Sequence, residues 1–159
     1  MSLTVYRFGK AKHRDTLFDG IGGLYANGRW SPQGHRVVYA SESASLALLE
    51  YMVHYKNRGW LPASVVASAE IPKAVRIAQV NLTELPADWD DPVAPSVLQK
   101  IGRQWLEQGS TAVLKVPSAL VQDEWNYLLN PVHRDFKLIH FHEPAMYLPD
   151  QRLARSRNH

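Results

Sequence analysis

The stretch Arg36-Val37-Val38-Tyr39-Ala40-Ser41-Glu42-Ser43-Ala44-Ser45-Leu46-Ala47-Leu48-Leu49-Glu50 passes from one kind of backbone to another within a few residues. Its first part, residues 36–40, is β-branched and aromatic and reads as a strand. Ser41 or Ser43 then offers a hydroxyl to cap a helix, and from Ala44 to about Tyr55 every residue is compatible with one. That helix is apolar nearly all round. Glu50 shares a face with Leu46, Leu49 and Val53, while Ala47, Leu48, Tyr51 and Met52 cover the other side. Such a helix is expected to be buried, which puts one carboxylate in or beside the core. An unpaired buried carboxylate is costly, so Glu50 requires a partner.

Working outward, residues 3–8 alternate in strand fashion and end near Arg7. Residues 9–28 hold five glycines and little apolar periodicity, and read as a loop whose Gly20, Gly22 and Gly23 permit positive φ and close backbone approach. Asn27-Gly28 is a turn signal. The glycines match neither the P-loop nor the dinucleotide fingerprint, because no helix follows directly and no lysine is placed for phosphates. Downstream, residues 65–71 and 75–80 read as strands on either side of Pro72-Lys73. A second helix spans 96–108 and stops at Gly109, a natural residue to follow a helix end. Residues 111–116 form a strand running into Pro117-Ser118, and 138–142 is a last strand. Residues 126–136, dense in mixed polarity around Pro131, are either a structural turn or the wall of a site. Strands outnumber helices without regular βαβ alternation. The expected class is therefore α+β, a mixed β-sheet core with flanking helices.

Composition bounds the rest. A chain of 159 residues, 45% hydrophobic and 21% charged, suits a single domain over residues 1–159. The absence of cysteine excludes a disulfide scaffold, a zinc ribbon and thiol catalysis, and is compatible with a reducing cytoplasm. No basic n-region with an apolar core opens the sequence, and no apolar run approaches the roughly 20 residues of a membrane span, so no membrane association is expected. The net charge of +3 is mild and sits partly in a basic tail at 151–159, with Arg152, Arg155 and Arg157, that is expected to be flexible. It lacks the concentrated stripe of a nucleic-acid binder.

Chemistry concentrates on few residues. Arg7 closes an apolar strand and Arg29 stands between an Asn-Gly turn and Trp30, settings that suit a bidentate grip on phosphate or carboxylate, although a surface arginine is the commoner fate. Tyr39 is a core filler or a ring for orienting a ligand. Ser118 has no Gly-x-Ser-x-Gly elbow to make it a nucleophile. His140 and His142 face the same way on a strand, yet no third ligand is evident, and no metal is assigned.

In order and spacing, these pieces resemble the RES family, the toxin half of the Xre–RES toxin–antitoxin systems. The eponymous arginine, glutamate and serine match Arg7 in Tyr6-Arg7, Glu50 in Ala47-Leu48-Leu49-Glu50 and Ser118 in Val116-Pro117-Ser118. Gly28-Arg29-Trp30, Val38-Tyr39-Ala40-Ser41 and Asn130-Pro131-Val132-His133-Arg134-Asp135-Phe136 support the match. The resemblance implies a fold similar to ADP-ribosyltransferases and diphtheria-type toxins and an enzyme that consumes NAD as substrate, with no tightly bound cofactor. It implies Glu50, Arg7 and Ser118 as catalytic residues, and Arg29, Tyr39, Tyr6 and Trp30 as NAD-binding ones. It further implies a helix-turn-helix antitoxin of Xre type as partner, in a homodimer or a toxin–antitoxin hetero-oligomer. Water, inorganic phosphate or a host protein could each accept the ADP-ribosyl group. A non-catalytic nucleotide-binding module and a purely structural Glu50 paired with an arginine remain the alternatives.

Overall fold

The computed structural model describes residues 2–54 and 61–153. Among these residues, eight strands form one mixed sheet with two α-helices on it. The strands are β1 (Leu3–Lys10), β2 (Val38–Ser41), β3 (Ser64–Ile71), β4 (Ile77–Gln79), β5 (Val113–Pro117), β6 (Trp125–Leu129), β7 (His140–Phe141) and β8 (Ala145–Tyr147). The helices are α1 (Ala44–Val53) and α2 (Ser96–Gln108). Spatial order is β4-β5-β6-β2-β1-β3-β7, with β8 also on β3. The β4–β5 pair is parallel and the others are antiparallel. This is the α+β class expected from the irregular alternation of elements.

Because side chains alternate across a pleated sheet, the register sorts residues onto two faces. One face carries Val5, Val38, Ala40, Ala69, Ile71, Val113 and Leu129 in a continuous apolar core. The other face takes both helices. Over one half of the sheet, Ala47 and Tyr51 of α1 pack on Phe8, with Tyr6 and Val66 beside them. Over the other half, Leu98 and Trp105 of α2 pack on Leu114, Val116 and Leu128. Between the two helices lies the far end of β2.

Local chemistry sets the helix ends. Ser43, rather than Ser41, caps α1, accepting from the Leu46 N–H at 3.1 Å. Gly109 ends α2 at φ +60°, in the left-handed conformation glycine tolerates, and its N–H bonds the Trp105 carbonyl. Gly102 has a different reason to be glycine. It lies in the middle of α2, where glycine costs up to about 1 kcal/mol relative to alanine, but a Cβ there would run into the Trp30 carbonyl oxygen. Helix and loop approach closely only because that carbon is missing.

Several expectations shift. The glycine-rich loop contains two 3-10 turns, Ala11–Thr16 and Ile21–Leu24, and of Gly20, Gly22 and Gly23 only Gly20 has positive φ. Gly28 does not adopt positive φ; its N–H bonds the Ser31 carbonyl, and a Cβ there would strike the Tyr39 hydroxyl. Close approach, not turn type, is what requires this glycine. The segment 126–136 begins as a strand: β6 lies between β5 and β2, pairing Leu129 with Val113 and with Val38. α1 is not buried all round, since Leu49 is 45% and Val53 42% exposed. Tyr55 and the tail beyond Leu153 lie outside the described residues.

Candidate active site

Glu50 projects from α1 towards the end of the β2–β6–β5 ladder, where Ser41, Asn126 and Ser118 converge. The Asn126 Nδ2 donates to Glu50 Oε1 at 2.7 Å, and the Ser118 hydroxyl donates to the same oxygen at 3.1 Å. Asn126 is itself oriented by Ser41, whose hydroxyl donates to Oδ1 at 2.7 Å. With the amide oxygen taken by a hydroxyl, the NH₂ must face the carboxylate. Asn126 was missed as a single candidate because only the pairing of β6 with β2, which sets Ser41 opposite it, gives this amide its direction.

Ser118 is held as firmly. The N–H groups of Leu120 and Val121 both donate to its Oγ, at 3.1 and 3.2 Å, and its own N–H bonds the Glu124 carbonyl at 2.9 Å. With both lone pairs engaged, its proton is directed at Glu50. This geometry makes Ser118 a donor that fixes the carboxylate. Among the described residues, no lysine or arginine forms an ion pair with Glu50, and no hydrogen bond reaches Oε2. Neutral donors therefore hold one oxygen of the carboxylate.

Tyr6 stands beside this cluster. It pairs with Ser41 across β1 and β2, and its ring is only half-buried against α1. Tyr39 lies two residues before Ser41 on the same face of β2. Its hydroxyl accepts from the Trp30 N–H at 3.1 Å and shares a hydrogen bond with Ser31 Oγ at 2.6 Å. Burial pushes the Tyr39 phenol up from its ordinary value; the Ser31 and Trp30 hydrogen bonds and the nearby Arg29 charge oppose that shift. Arg29 closes its fork on backbone, with Nη1 on the Trp89 carbonyl at 3.0 Å and Nη2 on that of Asp91 at 2.8 Å. It thereby ties the loop at 89–91 to the segment that leads into β2.

Two sequence-predicted residues are placed elsewhere. Trp30 is 2% exposed in the core beneath α2 and offers no face for a ligand to stack on. Arg7, two residues after Val5 on β1, shares with it the sheet face opposite Glu50. Its Nε donates to the Leu17 carbonyl at 2.8 Å and its Nη1 to that of Tyr39 at 2.9 Å. The β1–β2 ladder has a single registered pair, Tyr6 with Ser41, and the Arg7 guanidinium takes up the Tyr39 carbonyl just past it. Burial lowers the pKa of Arg7, and the charge of Asp19 works against that lowering.

A cavity of about 570 Å³ opens at the other end of β2, lined in part by His35, Arg36, Asn130, His133 and Arg134. It has no carboxylate in its wall and shares no residue with the Glu50 cluster, so it cannot supply the same chemistry.

The RES domain pattern matches residues 4–155. The chain belongs to the RES domain family. A RES protein of Photorhabdus laumondii, named Toxin Res, is 33% identical over 156 residues, covering 98% of this chain and 99% of that one. A protein of Sphingobium, named Prs ADP-ribosylating toxin, is 38% identical over 139 residues and 86% of each chain. The fold matches that in the crystal structure of the Mycobacterium tuberculosis MbcT–MbcA toxin–antitoxin complex with a TM-score of 0.73 at 17% identity, over 92% of this chain and 85% of that one. This RES-domain chain thus shares sequence along nearly its whole length with proteins named as toxins.

Proposed function

We propose that this RES protein is a toxin that cleaves the nicotinamide–ribose bond of NAD, with Glu50 as its catalytic carboxylate. The observation that supports this reading most is the clamped Glu50. One carboxylate oxygen is held by Ser118 and Asn126, and the other is free of described hydrogen bonds. Cleavage releases nicotinamide as a neutral leaving group, taking the bonding electron pair and needing no strong acid. The demand is to stabilise the ribosyl oxocarbenium ion left behind. A carboxylate held in place before the reaction does this without reorganising, and its open oxygen can accept a hydrogen bond from a ribose hydroxyl.

Ser118, Asn126 and Ser41 act as positioning residues. Tyr6 offers a half-exposed ring to the nicotinamide half, and Arg29, beside Tyr39, retains N–H donors suited to the pyrophosphate. Arg7 acts through the backbone by holding β2 where Tyr39 and Ser41 begin. The NAD-degrading reading supposes that water or inorganic phosphate then attacks the anomeric carbon, giving ADP-ribose and a proton or the phosphorylated sugar. The name of the Sphingobium relative favours a second reading, in which a protein side chain is the acceptor.

The partner in this proposal is an antitoxin of Xre type that covers the Glu50 cluster. Leu49, Val53 and Leu120, each more than two-fifths exposed on the elements that carry Glu50 and Ser118, are apolar contacts for it. No helix among the described residues is long and apolar enough to cross a membrane, and action on cellular NAD implies a cytoplasmic site. Chromatography of NAD incubated with the antitoxin-free protein, with and without inorganic phosphate, tests the proposal. Nicotinamide released by the native protein but not by Glu50→Gln supports it, and the co-product names the acceptor. Intact NAD throughout, with no label transferred to protein, overturns it.

A further inference from the structure

The sequence singles out His140 and His142 as two imidazoles on one strand face that lack a third ligand. Strand pairing supplies one. β7 runs antiparallel to β3, with His140 directly opposite Glu70. The chain continues so that the His142 N–H bonds the Ser68 carbonyl at 3.0 Å, which keeps His142 in register on the same face. Glu70 is thus flanked by two imidazoles, one across the ladder and one on the diagonal, both separations that long side chains span. The rings of His140 and His142 meet edge to face with centroids 4.7 Å apart. His142 Nε2 lies 3.1 Å from Glu70 Oε2. One ligand atom from each of the three residues falls within 4.8 Å of the others.

We propose that Glu70, His140 and His142 form a binding site for a divalent transition-metal ion of the zinc type, held on the outer edge of the sheet and separate from the NAD-cleaving cluster. Two imidazole nitrogens and one carboxylate oxygen are a familiar donor set for Zn²⁺, with water completing the fourth position. Tetrahedral ligands at about 2.0–2.1 Å from the ion stand roughly 3.3 Å from one another. The Glu70–His142 pair is already near that separation, and a ligand atom of His140 stands within 4.8 Å of both. All three side chains are at least partly exposed, so an ion can enter without moving the backbone.

The site has a structural consequence. β7 is an edge strand of two residues, a length at which ladder hydrogen bonds alone hold little. An ion bridging Glu70 to both histidines staples β7 to β3, and with it the connection to β8, which pairs with the other end of β3. The ion is a fastener for the C-terminal part of the sheet and takes no part in the reaction.

The test uses the whole protein, stripped with a chelator and then titrated with Zn²⁺ in a buffer free of phosphate. The expected result is one equivalent bound at micromolar or tighter affinity and a rise in Tm of about 5 °C or more at saturating metal. Co²⁺ in its place gives the visible absorption of a four-coordinate ion. Glu70→Gln and His142→Gln, both conservative changes at exposed positions, each weaken binding at least tenfold and abolish the Tm rise. Circular dichroism of the metal-free protein and NAD turnover stay unchanged. Binding that is absent, of variable stoichiometry, or the same in native and both variant proteins overturns the proposal. NAD turnover is a separate readout, so failure of the metal site leaves the Glu50 reading untouched, and the reverse also holds.

Discussion

Arg7 and Glu50 are both ionisable groups set among apolar neighbours, but the two faces of the sheet treat them differently. On the closed face, Arg7 is fastened to backbone, with its guanidinium on the carbonyls of Leu17 and Tyr39. On the helical face, Glu50 is fastened to side chains, an amide and a hydroxyl, through one of its oxygens. Arg7 is in this way part of the architecture, because its acceptors cannot leave without moving β2 and the loop at Leu17. A charge satisfied on one side by oriented side chains is held still while one edge remains able to meet a ligand. For this pair, burial and charge alone do not separate a brace from the proposed catalytic carboxylate; the identity of the partners does.

The largest effect that could break this comparison is on turnover at Glu50. Glutamine keeps an oxygen for Ser118 and Asn126 but loses the charge, so Glu50→Gln should lower NAD cleavage by about 10³-fold, equivalent to about 4 kcal/mol of transition-state stabilisation. The Tm should move by no more than about 3 °C, since the neutral hydrogen bonds survive. A collapse of Tm accompanied by unchanged turnover per folded molecule would make Glu50 architectural and erase the contrast.

Arg7 should behave in the opposite sense. Arg7→Met leaves two carbonyls without their donor, a loss of about 3 kcal/mol, and should lower the Tm by about 10 °C. Turnover per folded molecule, measured well below the transition, should stay within about fivefold, as a change of about 1 kcal/mol or less. If turnover is abolished while the Tm holds, Arg7 touches the substrate, and the closed face contributes directly to the site.

A smaller effect sharpens how Glu50 is held. Ser118→Ala and Asn126→Ala each remove one donor to Oε1 and should cost about 10- to 30-fold in kcat, near 1.4–2 kcal/mol. If both act only through the carboxylate, neither change should cost more when made on top of Glu50→Gln. Independent, additive losses in that double-mutant cycle would show that Ser118 or Asn126 contacts substrate itself.

The smallest effect concerns Tyr39. Its phenol is raised by burial, so the folded state binds that proton more tightly than the unfolded chain does. The resulting stability is fully present below the unfolded value of about 10 and is lost as pH rises through the folded value. Tyr39→Phe should therefore flatten part of the alkaline decline in Tm, leaving the share of Tyr127, which burial also raises. At neutral pH its cost should be about 1 kcal/mol, that of one hydroxyl and its partners. An alkaline limb identical in native and variant proteins would place the titrating groups elsewhere.

Much was legible in the chain. A run of helix formers located α1, and the end of α2 was legible because the run stops at a glycine that can take positive φ. β1, β2, β3 and β5 were visible as β-branched or aromatic runs. β6 was not, since Asn126 and Asn130 break its pattern and its stability comes from pairing with strands on both sides. β8 was missed for a related reason: three residues on a partner strand leave little periodicity to detect.

The amino-acid order by itself determined most of the elements, the class, the family and the need of Glu50 for a partner, because these follow from local propensity, from the order and spacing of motifs or from the cost of burying a charge. Which partner that would be, which face Arg7 takes and which carboxylate stands between His140 and His142 were decided only by strand register, while close packing against the Tyr39 hydroxyl and the Trp30 carbonyl decided why Gly28 and Gly102 lack side chains. Register places residues far apart in sequence at van der Waals and hydrogen-bonding distance, and a slip of one residue would turn every one of those side chains to the opposite face.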